Sequence, residues 1–277
     1  MICWPGGPRK YYETSIPVVK PLTGVTVVVT RPVHQSETLC QLIESSGGFP
    51  LRFPTLEIGE PGDPAALLKI LENIDRFDIA IFISPNAVEW GLKFVRQTGA
   101  LPVHLKVAAV GKGTAKKLAA NGIAVDIFPA QQFNSEALLA LDPLQQVADQ
   151  RILIFRGEGG RELLADTLRA RGASVEYAEC YQRLLPDNDS AELSGPLAQG
   201  KVNIITVTSN EALQNLYDMI GSDYRQYLLK LPLIVVSDRG QQLALELGFK
   251  GSVIVAANAS DQSLLDAIIE WKTGQIH

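Results

Sequence analysis

Val27-Val28-Val29-Thr30-Arg31 is a short apolar run that stops at an arginine, and 125 positions later Ile152-Leu153-Ile154-Phe155-Arg156 does the same. Runs of this length, rich in β-branched residues and apolar on every side chain, suit strands buried on both faces of a parallel sheet. The spacing persists through the chain. Phe82-Ile83-Ser84-Pro85-Asn86-Ala87 returns as Val207-Thr208-Ser209-Asn210-Glu211-Ala212, again 125 apart. Ala-Val-Gly-Lys-Gly-Thr-Ala (109–115) returns as Val-Val-Ser-Asp-Arg-Gly-Gln (235–241), and Leu138-Leu139 as Leu264-Leu265, both with an offset of 126. A duplicated unit implies two similar lobes, and two lobes imply a cleft able to enclose one substrate.

Outward from these runs, short strands alternate with amphipathic stretches. Strands are expected at 25–30, 50–53, 78–83, 106–110, 124–128, 151–155, 174–178, 203–208, 232–236 and 252–256. Helices are expected at 34–47, 64–73, 86–97, 113–121, 135–141, 160–171, 210–220, 239–247 and 260–272. Gly47, Gly122, Gly172 and Gly248 stand where a helix would stop in a left-handed turn. The class is therefore α/β with helices on both faces of parallel sheets. The repeat consists of a strand–helix–strand block (24–56 and 149–183) and a longer block of three strand–helix units (77–141 and 202–271). Segments 57–76 and 184–201, rich in Pro, Gly, Asp and Glu, are expected to join them. The blocks run in the order A, B, A, B. They pair either in tandem or crossed, and periodicity does not choose.

The 277 residues suffice for two such lobes, and 46% hydrophobic content is ordinary for a globular protein. A net charge of −5 and a pI near 5.3 argue against a nucleic-acid or anionic-membrane surface. Cys3, Cys40 and Cys180 are odd in number, far apart and in no Cys-x-x-Cys pair, which fits a reducing cytoplasm. No apolar run reaches the roughly 20 residues of a membrane helix. Residues 1–23, with Pro5, Pro8, Pro17 and Pro21, read as a loosely ordered extension without the pattern of a secretory signal. A monomer is expected, since no apolar surface stripe is evident.

Ligands of doubly wound sheets bind beyond the carboxyl ends of the strands. There the sequence places Thr30 and Arg31; Ser84 and Asn86; Lys112 and Thr114; Arg156 and Gly157; Thr208, Ser209 and Asn210; Ser237 and Arg239. Small residues, hydroxyls, cations and the free N–H groups of the following helices make a rim suited to a polycarboxylate. The plainer reading of Ser84, Ser209 and Ser237 is helix N-caps, and that of Arg31 and Arg156 is solvated surface. Gly111-Lys-Gly and Gly157-Glu-Gly-Gly do not complete a dinucleotide fingerprint. Three histidines, at 34, 104 and 277, show no metal-ligand spacing, and no Gly-x-Ser-x-Gly elbow is present. An enzyme built this way would work without metal or redox cofactor.

Seven stretches together resemble the uroporphyrinogen-III synthase family: Val-Thr-Arg-Pro (29–32), Ser-Pro-Asn-Ala-Val (84–88), Ala-Val-Gly-Lys-Gly-Thr-Ala (109–115), Arg-Gly-Glu-Gly-Gly-Arg (156–161), Tyr-Gln-Arg (181–183), Thr-Ser-Asn-Glu-Ala-Leu (208–213) and Ala-Ser-Asp-Gln-Ser-Leu (259–264). Each is loose alone, and their order and spacing are what is specific. The resemblance spans about 24–271. It implies the crossed pairing: two flavodoxin-like lobes joined by a two-stranded linker, one lobe from 24–54 plus 187–277, the other from 57–183, with crossings near 55–56 and 184–186. It also implies a substrate, hydroxymethylbilane, a linear tetrapyrrole with eight carboxylates, cyclised with inversion of ring D, and a transient contact with the enzyme that supplies it. It points to Tyr181 as a general acid for loss of the hydroxyl; the plainer reading is a linker tyrosine packing its ring. Lobes and rim alone would equally suit a non-catalytic two-lobed binding protein for an anionic small molecule.

Overall fold

The computed structural model describes residues 20–274. The chain divides into two compact units, one built from residues up to Thr55 and from Asn188 onward, the other from Leu56–Asp187.

Among the described residues the first unit has five strands: β1 (Thr26–Val29), β2 (Phe49–Arg52), and, numbered in chain order after those of the second unit, β8 (Ile204–Thr206), β9 (Leu233–Val235) and β10 (Val253–Val255). They lie in the order β10-β9-β8-β1-β2, all parallel. The register pairs Val28 with Leu51 on one side and Ile205 on the other. Alternation assigns the two faces. Val28, Ile205 and Leu233 pack on one side with α8 (Ala191–Ala198), α9 (Asn210–Met219), α10 (Ser222–Leu228) and α11 (Asp238–Glu246). Val27, Val29, Ile204 and Ile234 pack on the other with α1 (Val33–Ser45) and α12 (Asp261–Gly274). A strand buried on both faces has no polar face to show, so its sequence is an unbroken apolar run.

The second unit holds β3 (Glu57–Gly59), β4 (Ile79–Phe82), β5 (Lys106–Ala109), β6 (Arg151–Gly157) and β7 (Ser174–Leu184) in the order β3-β7-β6-β4-β5. Only β3 runs antiparallel, on the edge beside the far half of β7. Ala80, Phe82, Leu153 and Phe155 face α2 (Pro64–Leu71), α3 (Pro85–Thr98) and α4 (Lys112–Ala120). Ile79, Ile81, Ile152 and Ile154 face α5 (Ser135–Leu139), α6 (Asp142–Gln145) and α7 (Leu163–Ala170).

The fold departs from the sequence reading in places. Residues 124–128 do not form a strand, and Ile127 makes a single parallel bridge to Ala108. The segment 184–201 is not plain linker, because α8 lies in it despite Gly195 and Pro196. Segment 57–76 likewise carries β3, α2 and a 3₁₀ turn at Ile74–Arg76. Of the expected loose extension, residues 1–19 lie outside the described residues. The rest is tied down, with Leu22 fully buried and its N–H donated to Ser46 O at 2.9 Å.

Candidate active site

Each strand end hands the chain to a helix, and the cap at that handover fixes the local geometry. Ser84, Ser209 and Ser237 are N-caps, accepting from the N–H groups of Ala87, Ala212 and Gly240 at 3.0–3.1 Å. The cap uses one lone pair of each hydroxyl and leaves its proton available. Ser84 is half-buried, and Ser209 and Ser237 are exposed.

In the second unit the Ser84 hydroxyl lies 3.3 Å from the phenol of Tyr181. Tyr181 reaches it because of a bulge. Arg156 pairs with Glu179 but Gly157 with Tyr181, so Cys180 is an extra residue in β7. A bulge re-aims the side chains that follow it. Here Cys180 and Tyr181 both enter the same core, and Tyr181 is 1% exposed. Its ring covers Gly157 so closely that a Cβ there would stand 2.6 Å from the ring. The Arg183 guanidinium lies 5.6 Å from the centre of the Tyr181 ring. Burial pushes the Cys180 thiol up to about 12.

Arg156 is 3% exposed and its donors are committed. They go to Gly157 O at 3.2 Å, to Gly159 O, and to Glu162 at 2.9 Å, while the guanidinium lies 4.4 Å from the Tyr177 ring centre. Glu162 also accepts from the Tyr177 hydroxyl. The Tyr177 and Arg156 bonds hold the Glu162 carboxyl below its usual range, whereas burial and then Glu162 raise the Tyr177 phenol. Arg156 thus clamps the 157–162 loop. Arg31 does the same for the first unit, bonding Asp261 and Ala259 O at the start of α12. Burial lowers its pKa, partly countered by Asp261.

Of the remaining rim residues, Lys112 is exposed with its ammonium 4.5 Å from the Phe133 ring centre. Asn86 is half-buried and Thr114 buried. Thr30 donates to Thr206 O at 2.8 Å, tying the ends of β1 and β8. Thr208 is half-buried, Asn210 donates to Arg239 O at 3.4 Å, and the Arg239 side chain is exposed.

Within the second unit, a cavity of about 300 Å³ opens at the ends of β4, β5 and β6 and gathers Arg156, Gly157, Arg161 and Arg183. A neighbouring one of about 320 Å³ gathers Asp63, Glu158 and Glu179 instead. In the first unit the space between Ser209 and Ser237 is only about 10 Å³. Among the described residues, no three His, Cys, Asp or Glu side chains gather as a metal site would need.

A family model described as "Uroporphyrinogen-III synthase HemD" matches residues 37–266. The chain belongs to the uroporphyrinogen-III synthase family. It is 36% identical over 247 residues to the uroporphyrinogen-III synthase of Salmonella typhimurium, covering 88% of this chain and 100% of the relative. It is likewise 36% identical over 249 residues to that of Escherichia coli K12, with the same coverage. A crystal structure of a mutant uroporphyrinogen III synthase from the extreme thermophile Thermus thermophilus superposes with a TM-score of 0.60 at 18% identity, covering 91% of this chain and 99% of that one. At that identity the likeness speaks for the α/β fold with parallel sheets.

For this member of the family, sequence reasoning names Arg156 and Gly157 but passes over Arg161, Ser135, Tyr177 and Arg183 around the same cavity. A signal exists for two of them. Arg161 closes the Arg-Gly-Glu-Gly-Gly-Arg stretch and Arg183 closes Tyr-Gln-Arg. Tyr177 and Ser135 have none, because the pairing of β7 with β6 sets Tyr177 beside Ile154 and Ser135 comes in at the start of α5.

Proposed function

We infer that this protein is a cyclising lyase of tetrapyrrole biosynthesis, a uroporphyrinogen-III synthase acting on hydroxymethylbilane. The observation that carries the reading is 36% identity extending over the full length of relatives that bear this name. The reaction balances with loss of one water. The pyrrole nitrogen's lone pair expels the terminal hydroxyl, which leaves with a proton, and gives an azafulvene. The freed carbon bonds to the substituted α-position of ring D, and the resulting spiro intermediate fragments and recloses with ring D inverted. The chemistry is intrinsically easy, since the free bilane closes without help to isomer I. Catalysis therefore lies mostly in holding one geometry.

The roles follow from that. Tyr181, hydrogen-bonded to the more accessible Ser84, is our choice for the group that helps the hydroxyl depart. Asn86, Lys112, Thr114, Gly157, Thr208, Ser209, Asn210, Ser237 and Arg239 are assigned to carboxylate binding through hydroxyls, N–H groups and positive charge. Arg31 and Arg156 serve by shaping the loops they clamp and by their field. We read the two units as copies of one flavodoxin-like lobe in crossed order. With β6 and β7 matched to β1 and β2, and β4 and β5 to β8 and β9, both sheets share one strand order, and the Ala108–Ile127 bridge stands where β10 would be. We assign the two-stranded linker to the points where the chain passes between units, at 55–56 and 187–188, which the division of the chain supports. A cytoplasmic monomer, touching the preceding enzyme in passing, completes the proposal; unpaired Cys40 and Cys180 fit that compartment.

The test is to supply hydroxymethylbilane and analyse the product. Isomer III in excess is expected. Isomer I at the uncatalysed rate would mean a binding protein without activity.

A further inference from the structure

The two cavities of the second unit sort charge. Glu158 turns one way, accepts from Gly62 N, and lines the cavity that also holds Asp63 and Glu179. Arg161, three residues on, turns the other way into the cavity whose deeper wall is Ile154, Leu164 and Ala165. The reversal needs Gly159 and Gly160, whose φ values of +68° and +114° favour glycine. The turn is held from beneath, because the Arg156 guanidinium packs against Gly160, where a Cβ would stand 3.0 Å away. Arg156 spends its donors on this loop and on Glu162. Arg161 has no polar partner among the described residues and is exposed. A rigid loop therefore presents one uncommitted guanidinium at the mouth of a half-apolar cavity.

We propose that this cavity receives one carboxylate-bearing side chain of the linear tetrapyrrole, with Arg161 as the cation that pairs with it. The assignment rests on the functional reading above. About 300 Å³ is at the lower end of small-molecule sites, too small for four pyrroles and suited to an acid arm. The apolar wall takes the methylenes of that arm, and the fork of Arg161 takes the carboxylate in bidentate fashion. The acidic neighbour repels the same group, so an acid arm is steered into one cavity and away from the other. Arg161 acts in binding and position, not on the reacting carbon.

The experiment uses the full chain, hydroxymethylbilane as substrate, and the variants Arg161→Ala, Arg161→Lys and Arg161→Glu. The expected result is a KM raised on the order of tenfold in the alanine variant, more in the glutamate variant, and partly restored by lysine. We expect kcat to change less than about twofold, since the interaction is uniform to ground and transition states. Melting temperature stays at the wild-type value because the side chain is exposed and unpartnered. Unchanged KM in both the alanine and glutamate variants, with wild type still producing isomer III, overturns the pocket assignment and leaves the function standing. Wild type yielding only isomer I overturns both.

Discussion

Gly157 and Tyr181 occupy one space between them, since the ring lies where a side chain at 157 would be. That contact splits two roles that mutation can separate. Tyr181→Phe keeps the ring and removes only the bond to Ser84, so the melting temperature should hardly move while kcat falls. General acids contribute about 10²–10⁴-fold, and a hydroxymethylpyrrole ionises readily, so the low end or less is expected, with isomer III retained. Tyr181→Ala also empties a fully buried aromatic site and should cost about 3–5 kcal/mol. Full activity in the phenylalanine variant, alongside loss of both activity and stability in the alanine variant, would make Tyr181 purely structural. Cys180, its neighbour in the bulge, offers a second residue-scale test. With its thiol pushed up to about 12, almost none is thiolate at pH 8. The peptide carrying Cys180 should therefore resist iodoacetamide in the folded protein and be labelled in urea, as read by mass spectrometry. The sign for stability follows: a folded pKa above the unfolded one contributes fully below the free-thiol value near 9.0, and the contribution is lost as pH climbs toward 12. Rapid labelling in native buffer would contradict the burial of this thiol.

Helix α3 meets β6 where Gly91 faces Phe155, and a Cβ at 91 would stand 2.6 Å from that ring. Phe155 is itself stacked on Phe82, with ring centres 4.3 Å apart and planes 8° from parallel, so it has little room to retreat. Gly91→Ala gains about 1 kcal/mol of helix propensity against about 1–3 kcal/mol of overpacking. The expected net loss is about 1 kcal/mol, visible as a lower urea midpoint at unchanged m-value. A raised midpoint would show that the ring moves aside freely. The same elements show what sequence can carry. Strands such as β4, buried at all four positions, are legible because burial on both faces leaves an unbroken apolar run. The run at 124–128 has the right composition and fails for a reason no periodicity contains. The Asp126 carboxylate takes the Val107 N–H at 2.7 Å, so the ladder gains one bridge and stops. Helix α8 is hidden by Gly195 and Pro196, yet Leu193 and Leu197 are buried beneath it. At the site, strand ends and repeats locate the serines and arginines. They do not reveal that Arg31 and Arg156 bond to loop carbonyls, because those bonds depend on loops that fold back upon them.

At the scale of the whole molecule, the two units differ in one property that matters for folding. Leu56–Asp187 is a single stretch of chain, whereas the other unit needs two stretches separated by it. The contiguous unit has hydrophobic cores on both faces of its own sheet and is of ordinary domain size. It should therefore fold when expressed alone. Trp90 is the only tryptophan in that stretch, and it lies on α3 against the core. Its fluorescence should report a single cooperative urea transition, coincident with the loss of helical circular dichroism. The stability expected for a domain of this size is on the order of 0.05–0.15 kcal/mol per residue. The fragment should form no isomer III if the carboxylate-binding roles proposed for Thr208, Ser209, Asn210, Ser237 and Arg239 hold, since it lacks all five. The discontinuous unit can be closed in the same experiment. Asn188 donates to Pro54 O at 2.5 Å, so the two cut ends lie side by side and a short glycine linker can join them. Probe-dependent or non-cooperative unfolding of the 56–187 fragment would mean that its cores are completed only in the intact chain.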